Sequence, residues 1–167
     1  RKESSAASDV YKRQEKYKLC STAHTKVNVV KSILARHSDS QTLVIGAYID
    51  QLEELGRELD APVIQGSTKN KEREALFDRF RSGELQTLVV SKVANFSIDL
   101  PEASVAVQVS GTFGSRQEEA QRLGRLLRPK SDGGQAHFYS VVSRDTLDAD
   151  YACLLYTSPS PRDRTRS

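Results

Sequence analysis

Three arginines, Arg122, Arg125 and Arg128, recur at every third position of Gln121 to Arg128, which reads QRLGRLLR with Gly124 between them. If the run is helical, residues three apart keep to one flank, and the three guanidinium groups can reach a single polyanion. A guanidinium is a permanent cation with a planar fork of donors. Charge developing on a transferred phosphoryl group calls for such donors. Gly124, without a side chain, lets the backbone come close to a neighbour. The plainer reading of an arginine row is a solvated basic helix face, and the surrounding sequence has to decide between the two.

That surrounding sequence alternates short apolar runs rich in branched residues with amphipathic stretches, the pattern of an α/β fold whose parallel sheet is covered on both faces. Strands are predicted over Thr42 to Ala47, Pro62 to Gln65, Gln86 to Ser91, Ser104 to Val109 and Ala136 to Val142. Helices are predicted over Thr25 to Arg36, with Val27, Val30, Ile33 and Leu34 on one face, and over Ile49 to Leu59, with Leu52, Leu55 and Leu59. A third covers Lys71 to Phe80, with Ala75, Leu76 and Phe80 inward and Gly83 as its stop. A fourth runs from about Ser115 to Leu127, ended by Pro129 and the Asp132, Gly133, Gly134 turn. In an open parallel sheet, ligands gather at the carboxyl ends of the strands, where loops and helix starts offer backbone N–H groups. Functional residues are therefore expected in Gly46 to Asp50, Gly66 to Asn70, Ser91 to Asp99 and Ser110 to Arg116, stretches suited to meeting phosphate.

A chain of 167 residues, 37% hydrophobic and 28% charged, is long enough for one domain with a sizeable core. No internal repeat or linker divides it. No stretch has the length and apolarity of a membrane span, and the amino terminus lacks the pattern of a secretory signal. The expectation is a cytoplasmic protein.

The two ends read as sequencing-adapter translation. Ser4 to Gln14, SSAASDVYKRQ, is encodable by an adapter-like stretch ending in AGATGTGTATAAGAGACAG. The reverse complement of that element, CTGTCTCTTATACACATCT, encodes the start of Cys153 to Asp163, CLLYTSPSPRD. Residues 1–14 and 153–167 are accordingly expected to lie outside the domain, which would occupy 15–152. Removing their seven basic and three acidic residues from the 25 and 22 of the whole chain leaves 18 against 19, a net charge of −1. The net charge of +3 and the isoelectric point near 8.9 of the whole chain are thus no sign of nucleic-acid binding. Any such site has to be local. With Cys153 set aside, Cys20 stands alone, ruling out a disulfide within the domain, and it reads as a small hydrophobe. His24, His37 and His137 have no second ligand at metal spacing and read as structural, so no metal site is expected.

Arg116 to Arg128, RQEEAQRLGRLLR, resembles motif VI of superfamily-two helicases. Ser91 to Pro101, SKVANFSIDLP, resembles motif V, and TLVIGAYIDQLEEL from Thr42 resembles motif IV. The SKV opening, the IDLPEAS continuation and EAQRLGRLLR are most similar to the XPB-like branch, whose members act in DNA repair and transcription, and to its prokaryotic members in particular. The resemblance spans nearly all of Thr42 to Tyr151 and implies the second RecA-like domain of an ATP-dependent DNA helicase or translocase.

On that resemblance, Arg125 and Arg128 are arginine fingers for the outer phosphates of ATP, and Gln121 and Arg122 hold the motif and interdomain contacts. Asp99 corresponds to an acid near the ribose or the interdomain surface. Gly46, Ala47, Tyr48, Gly66, Ser67, Ser91 and Lys92 are placed along the DNA strand, with Lys92 able to neutralise a phosphate. Motif V departs from its commoner form: Ser91-Lys92 replaces Thr-Asp, and Ser97 replaces the glycine before Ile98-Asp99. Both departures fit the XPB-like branch. No phosphate-binding GxxxxGK[ST] loop occurs, and no Asp-Glu pair ends a buried strand. ATP and magnesium are therefore expected to be bound mainly by a preceding RecA-like domain, the partner of this one together with DNA. The alternatives are a non-enzymatic module that binds nucleic acid or protein, and a related superfamily-two translocase.

Overall fold

The computed structural model describes residues 2–92, 101–111, 127–129 and 133–144. The elements run α1 (Lys2–Ser21), α2 (Thr25–Arg36), β1 (Thr42–Gly46), α3 (Ile49–Leu59), β2 (Val63–Ile64), α4 (Asn70–Arg81), β3 (Thr87–Ser91), β4 (Val105–Gln108) and β5 (His137–Ser140). All five strands fall inside the apolar runs predicted for them, each shortened by one to three residues. They form a parallel sheet in the order β2-β3-β1-β4-β5. The helix predicted from about Ser115 lies outside the described residues up to its last residue, Leu127. The expected turn at its far side is marked by Gly133, whose φ is +85°.

Because successive side chains of a strand point to opposite faces, the sheet divides its valines and leucines between two cores. Val44, Val89, Val105 and Val107 face α2 and α3, meeting Val27, Val30, Ile33, Leu52 and Leu55. Leu43, Ile45, Leu88 and Val90 face the other way, onto Phe77 and Phe80 of α4. Both faces being covered, the strands can be apolar throughout, as their sequences are.

Helices α2 and α3 have the predicted bounds, and two side-chain contacts link them side by side. His24 Nδ1 lies 2.7 Å from Glu54 Oε1, and Lys31 Nζ lies 2.6 Å from Glu58 Oε2. Glu54 and Glu58 are four apart and so share a flank of α3. The hydrogen bond from Lys31, aided by its charge, holds the Glu58 carboxyl below its ordinary pKa. What this pair contributes is present at neutral pH and fades as pH falls through the carboxylate range.

In α4 the buried face differs from expectation: Arg73, Phe77 and Phe80 are buried, Leu76 is half-buried and Ala75 is exposed. The inward stripe therefore follows i, i+4, i+7 from Arg73, a long side chain that can bury its stem while its guanidinium finds partners. Gly83, at φ +84°, ends this helix as its residue type suggested. The Gln41 side-chain amide donates to the carbonyls of Phe80 and Leu85, tying the end of α4 to the start of β1.

No sequence signal marked α1, which lacks an apolar stripe. Its side chains are exposed throughout residues 6–16, and the first buried one is Tyr17, at 2% exposure. None of the helices among the described residues is long and apolar enough to cross a membrane.

Gly56 sets how closely α3 approaches β2. A Cβ built there would lie 2.3 Å from Val63 Cγ2 and 3.1 Å from the Ala61 carbonyl oxygen. Intrinsic helix propensity favours alanine over glycine by about 1 kcal/mol, but overpacking costs about 1–3 kcal/mol. Gly56→Ala is therefore expected to lower the denaturant midpoint, and a raised midpoint would show that α3 has room to stand off.

Candidate functional site

The carboxyl edge of the sheet is built around the ends of β1, β3 and β4. Gly46, the last residue of β1, pairs in register with Ser91, the last of β3. A Cβ on Gly46 would come within 2.9 Å of both Leu52 Cδ2 and Ser110 Oγ, so only glycine lets β1 end this close to the segment leaving β4. Connections from β1 lead towards β2 and those from β4 towards β5. The β1/β4 crevice is thus the point where the strand order reverses, the usual ligand position in such sheets.

Here the chain itself spans that crevice. The Ala47 N–H donates to Ser110 Oγ at 2.8 Å, and the Val109 N–H donates to the Ile45 carbonyl at 2.9 Å. From α2, Lys26 Nζ donates to the Val109 carbonyl at 2.6 Å, with the lysine only 3% exposed. A buried ammonium costs several kcal/mol unless its donors are taken up, and this bond takes up one of them. Tyr48, next in line, is half-buried and enters α3 with extended backbone. The Lys18 ammonium sits 5.7 Å from the centre of its ring, within cation–π range.

The loop between β2 and α4 is braced from below. Gln65 and Thr68 bond each other twice: the Gln65 N–H donates to Thr68 Oγ1, and the Thr68 N–H donates to the Gln65 carbonyl, both at 3.0 Å. The buried Arg73 guanidinium then donates to the Thr68 carbonyl at 3.1 Å. This leaves Gly66 and Ser67 exposed at the tip, followed by exposed Lys69, Asn70 and Lys71 at the start of α4. Backbone N–H groups at a helix start together with two lysines favour an anion.

Ser91 and Lys92 differ from expectation. Ser91 is fully buried and Lys92 only 6% exposed, so neither offers its side chain to solvent as a phosphate contact would require. The Ser91 hydroxyl has no hydrogen-bond partner among the described residues.

Arg128 stands apart from the stretches expected at the carboxyl edge. Its N–H donates to the Ala103 carbonyl at 3.1 Å, and Leu127 and Ala103 form an isolated parallel bridge. Ala103 precedes β4, so Arg128 emerges at the amino edge. Parallel strands impose this: the connection leaving the carboxyl edge of β4 must run back across the sheet before β5 can start. At about 3.3 Å per residue, Ala103 and Ser110 stand roughly 23 Å apart along the strand. Arg128 is exposed, and its Nε lies 2.9 Å from Glu102 Oε1. Gln121, Arg122, Arg125 and Asp99 lie outside the described residues.

Lys26, Arg73, Ser110 and Glu102 are contributors that the sequence motifs did not single out. Arg73 carried a signal in its spacing to Phe77 and Phe80. Glu102, 26 residues from Arg128, carried none. The histidines are engaged elsewhere: His24 on Glu54, and His37 Nε2 at 2.7 Å from the Tyr139 hydroxyl, with its ring 4.8 Å from that of His137. No group of three or more metal-ligating side chains is found among the described residues.

Comparison with known proteins places this arrangement. The family described as the ERCC3/RAD25/XPB C-terminal helicase matches residues 7–154. The chain is 79% identical over 139 residues to the DNA 3'-5' helicase XPB of Mycobacterium tuberculosis, and 70% identical over 138 residues to that of Kineococcus radiotolerans. Each match covers 83% of this chain and 25% of the relative, so the chain spans about a quarter of their length. Among solved structures, the C-terminal domain of the DEAD-box protein Dbp5 superposes with a TM-score of 0.66 at 20% identity, covering 83% of this chain and 82% of that one. That likeness shows a shared RecA-like fold.

The Ser110 hydroxyl holds the two strand ends together and gives a direct handle on the crevice. Ser110→Ala would leave the Ala47 N–H without its acceptor, which costs about 1–3 kcal/mol. A lowered thermal midpoint in melting experiments is expected, and an unchanged one would mean that the hydroxyl does not hold β1 to β4.

Proposed function

The chain belongs to the ERCC3/RAD25/XPB C-terminal helicase family, and on that premise we propose that it is the second motor domain of an ATP-dependent DNA helicase or translocase. ATP and its magnesium ion sit in a cleft against a companion RecA-like domain, which supplies the phosphate loop and the acidic residues. This domain supplies guanidinium groups to the far side of the nucleotide. The folded unit is 15–152, in keeping with exposed side chains throughout residues 6–16 and a first buried one at Tyr17. Its action on DNA in repair is carried over from the family.

The observation that carries the reading is the attachment of Arg128 to the amino edge of β4, a strand length from Gly46, Ala47 and Tyr48 at the carboxyl edge. Two ligands can thus be served by one rigid body. At the amino edge, Arg128 meets the outer phosphates when the domains close, and the family motif assigns Arg125, Gln121, Arg122 and Asp99 to the same nucleotide. At the carboxyl edge, the backbone at Gly46 to Tyr48 and the exposed Gly66–Ser67 tip meet the sugar-phosphate strand, with Lys69 and Lys71 beside it. Ser91 and Lys92 act from beneath this surface, shaping it. Contacts of this kind read phosphate and sugar, so sequence preference is slight.

Closure around ATP and reopening after hydrolysis turn the body about its hinge. The strand held at the other edge then moves by a step. Arginine fingers contribute about 10³–10⁵-fold to turnover in phosphoryl-transfer enzymes. In the full-length protein, Arg125→Ala and Arg128→Ala are each expected to lower ATP turnover by orders of magnitude, about 10²-fold or more, while leaving nucleotide affinity within a few fold. Wild-type turnover in both variants would remove the proposed role.

A further inference from the structure

Arg128 is held by one carboxylate, and the geometry of that contact has a consequence for how the arginine works. Glu102 Oε1 meets the guanidinium at Nε, 2.9 Å away, on the side nearest the arginine's own stem. The two terminal nitrogens make no hydrogen bond among the described residues. They are the pair that forms a fork onto phosphate oxygens. A carboxylate bound across the terminal nitrogens would compete with a phosphate for the same donors, whereas one bound at Nε does not.

Glu102 is itself fixed in place. It immediately precedes Ala103, whose carbonyl accepts the Arg128 N–H and which bridges Leu127, so the backbones of the two partners are joined one residue from the ion pair. Pro101 on the other side is buried and has its φ set by its ring. Both side chains are largely exposed, 65% for Arg128 and 62% for Glu102. An exposed pair of this kind adds little to stability. Its effect lies in restricting a long side chain with many rotamers to the few that point its fork outward, which is entropy a free arginine would lose on meeting its ligand.

We propose that Glu102 is a positioning residue for Arg128, holding the guanidinium by Nε with its terminal nitrogens presented to the outer phosphates of ATP. The proposal rests on the reading of Arg128 as an arginine finger. Its ligand is a nucleoside triphosphate in the cleft. No proton is transferred and no bond is broken by Glu102 in this role.

The test is a double-mutant cycle in the full-length protein, with ATP turnover followed against nucleotide concentration and thermal melting alongside. Glu102→Ala is expected to lower kcat by about threefold to tenfold, the modest size fitting an exposed pair, with KM for ATP changed less than twofold and the melting midpoint unmoved. Glu102→Asp is expected to recover part of the loss, since a shorter carboxylate still reaches towards Nε. In an Arg128→Ala background the Glu102→Ala change should have no further effect, because the two act as a unit. Wild-type kcat in Glu102→Ala, or the same loss with and without Arg128, would overturn the proposal. A lowered melting midpoint matching the loss of activity would also overturn it, by making Glu102 a stability residue. Failure of the finger reading is distinguished by Arg128→Ala alone: full turnover in that variant defeats the finger, whereas a crippled Arg128→Ala beside a normal Glu102→Ala defeats only the positioning role.

Discussion

Strand β4 is gripped at both ends by groups from distant parts of the chain, and the rest of the domain is arranged around that grip. At its amino end the Ala103 carbonyl accepts the Arg128 N–H. At its carboxyl end Lys26 reaches the Val109 carbonyl and Ser110 takes the Ala47 N–H. Between these points, Val105 and Val107 are buried and paired to β1 on one side and β5 on the other. A strand so paired cannot bend or slide without breaking ladder bonds on both sides, so it behaves as a short rod. Whatever is fastened to one end is held in register with whatever is fastened to the other.

This constraint gives physical content to the proposed motor role. On that proposal a nucleotide at the amino edge and a DNA strand at the carboxyl edge would touch different surfaces, yet both would act on one close-packed body. Close-packed interiors resist compression and transmit displacement. The two valine-and-leucine cores, one under α2 and α3 and the other under α4, make that body stiff. Buried Lys26 adds α2 to it by a charged hydrogen bond, more costly to leave unmade than a neutral one. In the proposed mechanism, domain closure would move the carboxyl edge as a unit instead of deforming it.

Much of this architecture is legible in the sequence, and the gaps have physical causes. The bounds of α2 and α3 follow from apolar residues at helical spacing, and the strands from branched residues packed on both faces. In α4 the apolar residues locate Phe80 and Leu76 on the inner face, but they also suggest Ala75, which is exposed, and they miss Arg73, which is buried. Gly46 and Ser110 are recognisable as strand-end residues, but their contact depends on β1 lying beside β4, a long-range pairing without local signature. The same holds for Arg128. Its motif announces the chemistry, whereas its place at the amino edge follows from the return path that parallel strands require. Lys92 illustrates the reverse: a lysine whose motif suggests a phosphate contact is only 6% exposed.

Coupling of the two edges through this rigid body would show in a linkage measurement. DNA affinity of the full-length protein would be determined with and without a non-hydrolysable ATP analogue, for the wild type and for Arg128→Ala. Coupling between sites is reciprocal and typically worth about 5–150-fold in affinity. The nucleotide is expected to shift DNA affinity in the wild type, and the shift is expected to disappear in Arg128→Ala, whose affinity without nucleotide stays normal. The same shift in the variant as in the wild type would contradict that coupling.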